Sequence, residues 1–101
     1  MRVFLQKTGL VGLLALGSLA CAPLQASLHM REAKEAMQQA SEQQAATRSP
    51  YAWTMAGLYL EKAKEKNGYS HYEQAMEYAK KAKQWALTAL NQAMSASEES
   101  P

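Results

Sequence analysis

The stretch Tyr72-Glu73-Gln74-Ala75-Met76-Glu77-Tyr78-Ala79-Lys80-Lys81-Ala82-Lys83-Gln84-Trp85-Ala86-Leu87-Thr88-Ala89-Leu90-Asn91-Gln92-Ala93 decides the fold. Ala75, Ala79, Ala82, Ala86, Ala89 and Ala93 alternate four- and three-residue steps, a strict heptad pattern whose small side chains lie along one stripe of a helix. A seam of methyl groups lets two helix axes approach near the lower end of the usual 8 to 10 Å spacing. This stretch therefore predicts a helix closely packed against at least one other helix.

The rest of the chain beyond Cys21 agrees. Thr47, Thr54 and Thr88 are its only β-branched residues, whereas Ala, Glu, Lys, Gln and Met abound. Strands draw on the first group and helices on the second, so the predicted class is all-α: an antiparallel helical hairpin or a three-helix bundle with an alanine seam.

Upstream, the boundaries are readable. Ser27 is the expected N-cap of a first helix running to about Ala46, with Met30, Ala33, Met37 and Ala40 as its apolar stripe. Ser49-Pro50 opens a second helix, with Ser49 capping and Pro at the first helical position. That helix is expected to reach about Lys66, with Ala52, Ala56, Tyr59 and Ala63 inward, and to stop in a left-handed Asn67-Gly68 turn. Ser70 with Glu73 then reads as a capping box. The short turn makes the second and third helices antiparallel neighbours, and the first is expected to lie back along them. Residues 28–95 form the expected helical domain and residues 96–101 a frayed tail.

The first 20 residues differ in kind. Arg2 and Lys7 precede an apolar or small run from Gly9 to Leu19, whose end supplies Ser18-Leu19-Ala20 directly before Cys21. This is the pattern of a secretory signal, and its apolar part is well short of the roughly 20 residues a membrane-spanning helix needs. Cys21 is the only cysteine, so no intramolecular disulfide can form. Residues 21–27, with Pro23, read as a short extended tether.

Charge and chemistry exclude several classes. Of eleven basic residues two lie in the signal, leaving nine against nine Glu and no Asp, so the mature chain is formally neutral and offers no basic face for nucleic acid. His29 and His71 lack ligands at metal-binding spacing, and no catalytic constellation is visible. No enzyme activity, metal or cofactor is expected. Trp53, Leu58, Tyr78, Trp85 and Leu87 fall outside the seams; they are either a partner-contact surface or residues that close over the first helix or a neighbouring copy.

Residues 18–21 resemble the bacterial lipobox, although Leu lies second and Ser third before the cut. The resemblance implies diacylglyceryl transfer to the Cys21 sulfur, cleavage before it and acylation of the new amino group; an ordinary signal-peptidase cut is the alternative. Ala22 after the Cys, by resemblance to the enterobacterial sorting rule, points to the outer membrane.

Pro50-Tyr51, the Tyr59-Leu60-Glu61-Lys62-Ala63 middle, the Gly68-Tyr69-Ser70 turn and the alanine-spaced last helix are similar to bacterial envelope lipoproteins with the alanine-rich helical domain of unknown function 4398. That resemblance, over roughly residues 28–93, implies location and fold and carries no catalytic residues. A weaker one, on Trp53, Gly57 and Leu60, is to a single tetratricopeptide repeat; an array would need three or more copies.

The resulting expectation is a lipid-anchored periplasmic structural or protein-interaction module of the outer membrane, held by Cys21 and contacting an envelope protein or its own copies. The alternative is a small binding protein for peptidoglycan or lipid that uses the aromatic flanks.

Overall fold

The structure is a computed structural model that describes residues 2–99, with side chains described for residues 21–98. It is all-helical: α1 (Arg2–Glu42), the single-turn α2 (Ala45–Arg48), α3 (Pro50–Gly68) and α4 (Tyr72–Glu99). The side chains of the signal segment, and Ser100 and Pro101 of the expected tail, lie outside the described residues.

The core is a stack of layers to which α1, α3 and α4 each contribute. Met30, Ala63 and Ala79 form one layer, Ala33, Leu60 and Ala82 the next, and Ala36, Ala56 and Ala86 the third. Ala40, Ala45, Ala52, Ala89 and Ala93 close the far end beneath Trp53, Trp85 and Leu90. Residue numbers rise together in α1 and α4 and fall in α3, so α3 is antiparallel to two mutually parallel helices. The molecule is an up-down-up three-helix bundle. All six seam alanines of α4 are fully buried, as their spacing requires.

Several expected details differ. The stretch expected as an extended tether is helical, because α1 runs through Pro23 and past Ser27, which therefore caps nothing. Proline in a helix interior costs about 3 kcal/mol. Against that, Ala22, Leu24 and Gln25 favour helix, and Ala26 gains a fully buried position. α1 also ends at Glu42, four residues earlier than its composition suggested; Gln44 turns left-handed at φ 60° and starts α2, whose Arg48 amide bonds the Gln44 carbonyl at 2.9 Å.

In α3 the third inward residue is Leu60, not Tyr59. Both fit the stripe, but the tyrosine hydroxyl needs water or a partner, whereas the leucine fills the space between Ala33 and Ala82. The left-handed residue ending α3 is Ser70 at φ 61°, and no described glycine has positive φ. The His71 amide bonds the Lys66 carbonyl at 2.9 Å and the Ser70 amide bonds the Asn67 carbonyl at 3.0 Å. This is a Schellman motif with serine where glycine is usual. Ser70 is thus spent on ending α3, and the capping box with Glu73 does not form: the first α4 amide bond is that of Ala75 to the His71 carbonyl. α4 itself continues to Glu99 instead of fraying from residue 96.

Candidate functional site

The lateral groove between α3 and α4 holds most of the aromatic side chains. Along α3, Tyr51, Tyr59 and Lys62 project to the α4 side of the seam. Along α4, Tyr78, Lys81 and Trp85 project back toward them. Tyr59 and Tyr78 stack at 6.0 Å with planes 24° apart, and Tyr51 meets Trp85 edge-on at 5.6 Å. The Lys81 ammonium lies 5.6 Å from the Tyr59 ring and 5.9 Å from the Tyr78 ring, and Lys62 lies 5.7 Å from Tyr78. A cation over an aromatic face contributes about 0.5 to 1 kcal/mol at an exposed site. The Tyr59 and Tyr78 rings are therefore already engaged by the protein's own cations.

The other side of α4 faces α1. There Lys83 Nζ donates to Glu32 Oε2 at 3.0 Å, and His29 Nδ1 stands 3.9 Å from the same oxygen. The Lys83 hydrogen bond and charge hold the Glu32 carboxyl below its ordinary value of 4.5. Both partners are substantially exposed, so the pair orients the helices more than it stabilises them.

The five residues singled out by their place off the seams do not form one surface. Trp53 and Trp85 are half-buried lids on the far-end alanine cluster, and Tyr78 covers the Met30 layer. Leu58 and Leu87 remain exposed, Leu58 on the outer back of α3 and Leu87 on the α1-side shoulder of α4. Met94, one heptad after Leu87 and on the same shoulder by its spacing, is also exposed.

Cys21 is a free, exposed thiol on α1. At 100° per residue, Cys21, Leu24 and Leu28 share the outer face of α1, away from the stripe of Ala26, Met30 and Ala33. Leu24 and Leu28 are 60% and 46% exposed. Beside them a shallow pocket lined by Ser27, Met30, Arg31, Lys34 and Asn67 brings the start of the bundle in α1 next to the end of α3. The Tyr69 ring, in the adjoining turn, is exposed and lies 6.2 Å from His71. Sequence spacing shows the α1 stripe, but only the bundle's register puts Tyr69 at the same end.

Among the described residues no three His, Cys, Asp or Glu side chains come together to hold a metal ion, and no helix is long and apolar enough to cross a membrane. No curated protein and no solved structure matches the chain. The family described as Domain of unknown function (DUF4398) matches over residues 29–100, the whole of the layered bundle beyond its first turns. The chain belongs to the Domain of unknown function (DUF4398) family.

Proposed function

We propose that the protein is a non-catalytic, lipid-anchored module of the bacterial envelope, held at the outer membrane through an acylated Cys21 and presenting its helical bundle in the periplasm to an envelope protein or to further copies of itself. The observation that carries this reading is the position of Cys21: exposed, directly after a signal-like segment, and five residues ahead of Ala26, the first fully buried residue among those described. At 1.5 Å per residue that is about 7.5 Å of helix. An acyl chain there would not disturb the core, and each buried methylene adds about 0.8 kcal/mol of anchoring.

Exposed Leu58, Leu87 and Met94 are available for a partner. The alternative, a binder of peptidoglycan or lipid through the aromatic flanks, has less support. Lys62 and Lys81 cover the Tyr59 and Tyr78 rings, and Trp53 and Trp85 lean on the core, so a stacking ligand would first have to displace them.

Mass spectrometry of the mature amino terminus, paired with membrane fractionation of wild type and Cys21→Ser, tests the anchor. A diacylglyceryl-modified Cys21 and release of the variant are expected. An unmodified terminus, with both proteins fractionating alike, would overturn it. Retrieval of the detergent-extracted protein with a stoichiometric protein partner or with itself is expected; retrieval with murein sacculi instead would favour the binding alternative.

A further inference from the structure

The end of the bundle that carries Cys21 exposes two leucines and a tyrosine. Leu24 and Leu28 extend the outer face of α1 from Cys21 at three- and four-residue steps, and both are exposed. Arg31 follows on the same face, where its Nε donates to Glu35 Oε1 at 3.3 Å, so the apolar stripe ends after Leu28. Lys34 lines the adjacent pocket with Arg31, and Lys66 lies in the last turn of α3, one residue before Asn67 of that pocket. Tyr69, 68% exposed, projects from the α3–α4 turn at this same end. An apolar stripe ending in a basic rim, with an exposed tyrosine beside it, is the pattern of a surface lying in a membrane interface.

We propose that this end of the bundle is a membrane-seating surface, in which Leu24, Leu28 and Tyr69 enter the boundary of the bilayer while Arg31, Lys34 and Lys66 meet anionic phospholipid headgroups. The proposal rests on the anchored reading above and goes beyond it: the domain is held against the bilayer in one orientation, with no free tether between. The occupant is a bilayer because the apolar run of residues 9–19 joins α1 at this end, so whatever receives that segment or its acyl replacement lies next to Leu24. Basic residues near an anionic surface are each favoured by about 1 kcal/mol in general.

The test uses the full chain, acylated in cells and reconstituted into vesicles of phosphatidylethanolamine and phosphatidylglycerol. A fluorophore is placed on Leu28→Cys or, in a second protein, Tyr69→Cys; Tyr51→Cys is the control, since Tyr51 is eighteen residues before Tyr69, about 27 Å of helix rise. Lipids with a nitroxide near the headgroup serve as quenchers. Quenching at 28 and 69 well above that at 51 is expected, falling when phosphatidylcholine replaces the anionic lipid. Equal quenching at all three positions in protein that floats with the vesicles would overturn the seated orientation and leave the anchor standing. Strong quenching unchanged in phosphatidylcholine would overturn the role of the basic rim. Protein that neither floats nor carries an acyl group, and whose Cys21 takes up the fluorophore, would overturn both.

Discussion

The Ser49 hydroxyl donates to Oε1 of Gln92, tying the junction of α2 and α3 to α4 across 43 positions of sequence. Ser49 is the one buried polar residue among those described. At φ −142° and ψ 63° its side chain does not cap α3, while its amide bonds the Ala45 carbonyl at 2.8 Å and its carbonyl accepts from the Trp53 amide at 3.0 Å. The residue expected to cap the start of a helix locally instead joins two helices to a third.

This bond predicts an asymmetry. Ser49→Ala removes a hydroxyl and leaves Gln92, which is exposed, to water; a loss of about 1 kcal/mol is expected. Gln92→Leu leaves the buried hydroxyl without its acceptor, and the expected loss is about 1 to 3 kcal/mol. Urea denaturation with unchanged slope checks it. The exposed residue should be the more sensitive of the two.

The layers differ in what they can accommodate. Ala36, Ala56 and Ala86 meet under the flanking Met37 and Trp85, so Ala86→Leu should overpack and cost about 1 to 3 kcal/mol. One layer away Leu60 is the large buried side chain of its layer, with Ala33 and Ala82 beside it, and Leu60→Ala should cost about 2 to 5 kcal/mol through the cavity it leaves. Thermal unfolding of the two variants measures both. A small bundle has little stability to lose.

Two backbone positions are open to improvement. Ser70 sits left-handed at φ 61°, a conformation costing an L-residue about 1 to 2 kcal/mol and glycine almost nothing; Ser70→Gly should stabilise by about 0.5 to 1 kcal/mol after glycine's added chain entropy. Gly57 lies in the interior of α3, where a Cβ would meet Met37 Cε at 3.9 Å, an ordinary contact. Gly57→Ala should gain about 0.5 to 1 kcal/mol. Both melting temperatures are expected to rise.

Glu32 supplies a pH dependence. Its pKa is lowered in the folded chain by Lys83, so its contribution to stability is present above the ordinary carboxylate range and is lost as pH falls through the lowered value, below 4.5. Glu32→Gln should therefore be less stable than wild type near neutrality, and the two stabilities should converge on acidification below 4.5. Denaturation midpoints measured across that range check the sign.

What the sequence determined by itself was periodic and local. The heptad alanines of α4, the scarcity of β-branched residues and Pro50 at a helix start dictate three long helices and which stripes they bury, because side-chain direction repeats with the helix. The signal-like pattern before Cys21 is equally local. Tertiary structure decided everything that depends on which neighbour arrives: Leu60 over Tyr59 in the core, Ser70 over Asn67 and Gly68 as the left-handed residue, and Ser49 turned from its cap toward Gln92. It also decided that α1 continues through Pro23, since Ala26 has a buried place to fill. Each is a competition between local choices of similar free energy, settled by burial against another helix, and no spacing within one segment records that contact.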